Sequence, residues 1–353
     1  MSVVWVFLDG VGLGVDDPAI NPWAAVEDPT LIAVNGRAPS WPGAVWKPLD
    51  ANLGVDGLPQ SATGTTALLT GINAPEVLGR HLSGFPPREL QEIIAEHSVH
   101  KQALARGLKP AFANAYNEAY FKRPPFMQSV TTHAVHAAGM PFRMLDDYRA
   151  GRAVFHDLTG EMIRSQGNSG KLQYPGAPPA KSEQAEKFRK RFERIHQRAK
   201  LKGAPTTPPD ANPPTAEQSE SLPDLIKREQ LPIIGPEEAA RRIAGLAAGH
   251  DIVLFEYIKT DLAGHAQDRM WAASVVNEVM TFLRALLDDL DPERDTLLIA
   301  SDHGNSEDLN VRSHTRAPVP SVAVGSLASQ ILTPSRAITD LVPAVLNALD
   351  NRP

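Results

Sequence analysis

Asp261 and His265 stand four residues apart in Asp261-Leu262-Ala263-Gly264-His265. In a helix that spacing puts a carboxylate and an imidazole on one face, where they could share an ion. Asp302-His303-Gly304-Asn305 brings two more ligand types together with a glycine, His314 follows in Ser313-His314-Thr315-Arg316, and Asp9-Gly10 lies near the N-terminus. Each has an ordinary reading when taken singly. Asp9-Gly10 is a turn, Asp261 a helix cap, His265 a surface histidine, and a lone His314 a structural residue. A fifth motif, Ser61-Ala62-Thr63-Gly64-Thr65-Thr66-Ala67-Leu68-Leu69-Thr70-Gly71, sets a small hydroxyl residue before an apolar helical run. It reads either as a helix N-cap or as a hydroxyl facing an anion site made by free amides and the helix dipole.

Together the motifs have a stricter reading. Two divalent ions need roughly six or seven oxygen and nitrogen ligands, and this set supplies that number. Asp261, His265 and His314 would hold one ion; Asp9, Asp302 and His303 would hold the other, with Ser61 near or between them. One cation can lower a hydroxyl pKa and aim it as a nucleophile, and the pair can neutralise phosphoryl oxygens. That chemistry is phosphoryl transfer.

The motifs need elements that bring distant segments to one place. Val3–Leu8, Ile252–Ile258 and Thr296–Ala300 are continuous apolar runs without alternation, as expected of strands covered on both faces of a parallel sheet. Helical patterns lie between them at Glu89–Leu108, Pro236–Ala248 and Met270–Leu290. Alternating strands and helices give a three-layer α/β/α sandwich. In such sheets ligands bind beyond the carboxyl ends of the strands, where Asp9, Asp261 and Asp302 fall.

The 353 residues suit two domains, or one large domain with an insertion, and 42% hydrophobic residues give material for a sizeable core. A net charge of −6 argues against a generic nucleic-acid binder, and the absence of cysteine excludes disulfides and thiolate metal sites. The apolar start, Met1 to Asp9, has no basic leader and is too short for a signal peptide, and no segment has the length to span a bilayer. A cytoplasmic protein without membrane or nucleic-acid partners is expected; the oligomeric state is not legible. Residues 1–116 and 232–353 read as the metal-binding core and 117–231 as an inserted small cap, of which about 166–224, rich in Pro, Ser, Gln and Lys, reads as flexible. Within it Lys187–Lys202 could form a basic amphipathic helix, read as a solvated surface. The ordered part of the cap offers Arg143, Arg149, Arg152 and Arg164 as phosphate or carboxylate clamps, each also an ordinary solvated arginine. His133 and His136 read as structural.

The order of these motifs resembles the alkaline phosphatase superfamily, particularly its branch with cofactor-independent phosphoglycerate mutase and phosphopentomutase. The residues that carry it are Asp9-Gly10, the Ser61 motif, Asp261 with His265, Asp302-His303-Gly304-Asn305, and His314-Thr315-Arg316 before Val319-Pro320. Ile338-Thr339-Asp340-Leu341-Val342-Pro343 is similar to the superfamily's closing helix. The resemblance covers about residues 1–116 and 232–350. It implies an alkaline phosphatase-like fold, the ligand set given above, and a hydroxyl nucleophile at a fixed distance before a small-residue-plus-glycine pair. Counting back from Thr70-Gly71 gives Ser61, with Thr66 as the rival. It further implies transfer from a small phosphorylated metabolite through a phosphoserine, as a phosphomutase; a phosphatase or phosphodiesterase on the same fold is the alternative, and a non-catalytic metal-binding protein a third reading. The small cap departs from the mutases and leaves hydrolysis open. Mixed carboxylate and imidazole ligands suit Mn²⁺ first and Zn²⁺ second. Arg80 and Arg316 are candidate substrate contacts.

Overall fold

The computed structural model describes residues 1–26, 34, 36–166 and 231–352. Met1–Glu161 and Leu231–Pro353 form one compact unit, built on a six-stranded sheet. Its strands are β1 (Ser2–Leu8), β2 (Val45–Leu49), β3 (Pro110–Phe112), β4 (Ile252–Tyr257), β5 (Asp295–Ala300) and β6 (Val319–Gly325), in spatial order β2-β6-β5-β1-β4-β3. Both neighbours of β1 run parallel to it, with Val4 opposite Val253 on one side and Leu297 on the other. The three chains therefore leave the sheet at the same end. The antiparallel strands are at the far edge, where β6 pairs with β5 and β2 with β6.

All seven residues of β1 are buried, which explains a run with no polar alternation. Val3, Trp5 and Phe7 face a core formed with α1 (Ser61–Thr70), α2 (Arg88–His97), α3 (Val130–Ala137) and the closing helix α7 (Leu341–Asp350). The alternate residues face the opposite layer, where α4 (Pro236–Ala247) and α6 (Arg269–Asp289) pack on each other and Phe282 of α6 meets Phe255 of β4 at 5.6 Å between ring centroids. The sandwich has three layers, as expected. By composition alone α6 is long and apolar enough to cross a bilayer, but Val275, Val279, Phe282 and Leu286 are buried within the protein.

One local expectation changes. The helix expected over Glu89–Leu108 is broken at Ser98, whose φ of −56° and ψ of 143° are not helical, into α2 and a second helix at Val99–Ala105. In the segment read as the start of the cap, α3 lies against α2 and α1, and the two-residue strands Ala115–Tyr116 and Arg143–Met144 pair with each other. Most of 166–224, including Lys187–Lys202, lies outside the described residues.

Candidate metal centre

At the carboxyl end of the sheet, β1 delivers Asp9, β5 delivers Asp302 and His303, and β4 runs into α5 (Lys259–Ala266), which carries Asp261 and His265. The spacing in α5 works as the sequence suggested: His265 Nε2 lies 3.3 Å from Asp261 Oδ2. Two groups of donors emerge, Asp261 with His303 and His314, and Asp9 with Asp302 and His303, the donor atoms of each within 4.8 Å of one another. His303 Nε2 is 3.5 Å from both Asp9 Oδ1 and Asp302 Oδ2, and its ring stacks on His314 at 3.8 Å. His265 Nε2 closes on the first group from the other side, 3.2 Å from His314 Nε2. All six side chains proposed as ligands are thus brought together.

Backbone carbonyls decide which way these imidazoles point. His314 Nδ1 is 2.9 Å from the Pro59 carbonyl and His265 Nδ1 is 2.7 Å from that of Arg312. A carbonyl only accepts, so each Nδ1 carries its hydrogen and each Nε2 turns its lone pair toward Asp261. Two such lone pairs 3.2 Å apart require a proton or a cation between them. Asp9 Oδ1 is buried with no hydrogen bond, a second donor lacking a partner. The residues therefore fit divalent cations.

The electrostatics agree. Burial, then the charges of Asp261 and Asp302, push the Asp9 carboxyl well up. Burial, joined by the charge of Asp261, raises Asp302 to about 8 against the hydrogen bond from Thr65. Burial drops His303 to about 3, leaving the neutral imidazole that binds metals. Burial opposes charging of His265 too, but its hydrogen bond to Asp261 wins and raises it. Asp261 resists burial in the same way and is held low by His265, His303 and His314.

Ser61 is the first residue of α1, not its cap; Gln60 holds that position. Its Oγ lies 3.2 Å from His303 Nε2, the imidazole common to both donor groups. The competing hydroxyls are engaged elsewhere. Thr66 Oγ1 donates to the Ala62 carbonyl at 2.6 Å, Thr63 Oγ1 to that of Gln60 at 3.2 Å, and Thr65 Oγ1 to Asp302 Oδ2 at 2.7 Å. Gly64 is required by closeness: a Cβ there would sit 2.8 Å from the Asp302 carbonyl oxygen.

Arg80 and Arg316 are exposed, and among the described residues neither guanidinium has an ion pair or hydrogen bond. The loop after Arg80 lies along the first turn of α1, where Leu82 N donates to Thr63 Oγ1. The other arginines serve the protein itself: Arg143 donates to the carbonyls of Phe112 and Arg152, Arg149 pairs with Asp146, and Arg152 with Asp147. The side chain of Arg164 lies outside the described residues. His133 Nε2 meets the Pro125 carbonyl, a structural contact.

Sequence reasoning missed a second polar layer behind Asp9. Glu256 Oε2 accepts from Thr131 Oγ1 at 2.8 Å and lies 3.4 Å from His156 Nε2, and its charge contributes to the rise in Asp9. The signal was there: Glu256 is the one charge in the apolar run Ile252–Tyr257, and an acidic residue in a doubly covered strand demands partners.

A family model described as Metalloenzyme superfamily matches residues 237–349. The 2,3-bisphosphoglycerate-independent phosphoglycerate mutase of Dinoroseobacter shibae is 28% identical over 135 residues, 36% of this chain and 26% of the relative. That of Ruegeria pomeroyi is 29% identical over 118 residues, 31% of this chain and 23% of the relative. The chain thus spans only about a quarter of the length of these relatives. A solved structure from Pyrococcus horikoshii shares the fold, with a TM-score of 0.51 at 12% identity over 99% of this chain and 96% of that one. The stretch matched by the family model holds Asp261, His265, Asp302, His303 and His314, and the chain is similar to the Metalloenzyme superfamily there.

Proposed function

We propose that this protein transfers phosphoryl groups on small phosphomonoesters with two divalent cations, Mn²⁺ or Zn²⁺, and Ser61 as nucleophile. The observation that carries the reading is Ser61 Oγ, 3.2 Å from His303 Nε2 where the two donor groups meet. Asp261, His265 and His314 would hold one ion, and Asp9, Asp302, His303 and Ser61 the other. Cations bound there lower the hydroxyl's pKa and neutralise the phosphoryl oxygens. Thr65 holds Asp302 in place, and the carbonyls of Pro59 and Arg312 hold His314 and His265. Ser61 Oγ attacks phosphorus as the bond to the leaving oxygen breaks. The phosphoserine is then passed to another substrate hydroxyl or to water, and Arg80 and Arg316 would meet the anionic substrate.

Likeness to phosphoglycerate mutases favours the first fate, an isomerase. Hydrolysis is the second reading, favoured by Arg143, Arg149 and Arg152, which among the described residues bond within the protein instead of clamping a reorienting intermediate. Phosphorus NMR on the Mn²⁺-loaded protein, with 3-phosphoglycerate and pentose phosphates supplied separately, tells them apart. A shifted monoester resonance without free phosphate identifies a mutase, and inorganic phosphate alone identifies a hydrolase. No turnover of any phosphomonoester would contradict both.

A further inference from the structure

Glu307 lies in none of the donor groups, yet it is 2% exposed and surrounded by the loops that carry them. Its Oε2 accepts from Gly12 N at 2.8 Å and from Asn305 N at 2.7 Å, and its Oε1 accepts from the Thr315 hydroxyl. Gly12 follows Asp9, Asn305 follows His303, and Thr315 adjoins His314. Asn305 extends the reach: its Nδ2 donates to Asp261 Oδ1 at 2.5 Å. One carboxylate thus touches the loops of Asp9, of Asp302 and His303, and of His314, and reaches Asp261 through Asn305.

Other bonds tie the same loops. The consecutive amides of Gly10, Val11 and Gly12 donate to the side chains of Asp302, Ser301 and Glu307, and Ser306 N and Oγ both donate to the Gly10 carbonyl. The glycines leave room for the carboxylate. A Cβ on Gly12 would meet Glu307 Cδ at 2.5 Å, and one on Gly304 would meet Glu307 Oε1 at 2.5 Å. No lysine or arginine pairs with Glu307 among the described residues. A buried carboxylate without a cationic partner costs stability unless it serves another end, and three donors from three loops show what that end is.

We propose that Glu307 is the positioning residue that holds both ion sites in register. The inference rests on the two-ion reading. Its test is calorimetric titration of Mn²⁺ into chelator-treated wild type, E307A, E307Q and T315V, with circular dichroism of each metal-free protein. Loss of an outer partner of metal ligands typically weakens binding by about 10–100-fold, and E307A should lose that much at both ions. E307Q should recover part of it, because its amide oxygen can still accept from Gly12 and Asn305 while its NH₂ donates to Thr315 Oγ1. T315V cuts the link beside His314, together with the bond from Ala317 N to the same hydroxyl, and leaves the links to Gly12 and Asn305, so it should weaken one of the two binding steps. If E307A does not fold, E307Q and T315V decide. Two wild-type-like binding steps in E307Q and T315V would overturn the role of Glu307 and leave the two-ion reading standing. A wild type that binds no Mn²⁺ would overturn both.

Discussion

Loading the ion-free protein with divalent cations should expel protons, and the structure says about how many. Burial, reinforced by Asp261, holds the Asp302 carboxyl at about 8, so at pH 7 its neutral form outnumbers the charged by roughly ten to one, and it holds nearly one proton. Asp9, raised by burial and by Asp261 and Asp302, and His265, whose bond to Asp261 outweighs its burial, are shifted in the direction that adds to this. His303 at about 3 holds none, and burial lowers His314. Ligands bind metals deprotonated, so saturation at pH 7 should release about one proton or more per chain. The assay is titration calorimetry with MnCl₂ in buffers of different ionisation enthalpy, where the slope of observed against buffer enthalpy counts protons. At pH 9 the count should fall, because Asp302 has by then ionised unaided. Binding without proton release at pH 7 would refute the reasoning, since the buried carboxylates would then be charged without any cation.

Replacing Ser61 by Ala should abolish turnover while leaving ion content, by elemental analysis, largely intact through the remaining ligands; substantial residual turnover would move the nucleophile elsewhere. G64A should cost about 1–3 kcal/mol through overpacking and lower activity by pushing Asp302 away from α1, since its Cβ meets backbone at 2.8 Å; a fully active, equally stable variant would contradict that packing. His100 is fully buried with neither ring nitrogen bonded, and burial holds it at about 4 against an ordinary 6.5. The unfolded chain takes up that proton first as pH falls, so this contribution is whole above pH 6.5 and is lost toward pH 4, amounting to roughly 3 kcal/mol. H100L should flatten the denaturation profile over that window, and an unchanged slope would show that His100 does not titrate as its burial demands.

The sheet was legible because β1, β4 and β5 are largely apolar runs without alternation, the pattern expected of burial on both faces. The ligand set was legible for a related reason: parallel strands end together, so a carboxylate after each of three runs implies a shared site. The division of Glu89–Leu108 was not legible, because Ser98 interrupts a helical pattern without the Gly or Pro that usually marks a break. The choice between Ser61 and Thr66 could not be made from spacing alone; it depends on Thr66 turning its hydroxyl back to the Ala62 carbonyl. Glu256 and Glu307 were passed over because their partners Thr131 and Gly12 come from segments far away in sequence. Side-chain contacts of that range appear only once the loops are folded.

The most direct test of two-ion chemistry at Ser61 is to quench the Mn²⁺-loaded protein in acid during turnover of a phosphomonoester and map the label by peptide mass spectrometry. One phosphoryl group on Ser61, absent from S61A and from chelator-treated protein, is the expected result. Turnover with no covalent phosphate, or with the phosphate on Thr66 or another residue, would contradict it.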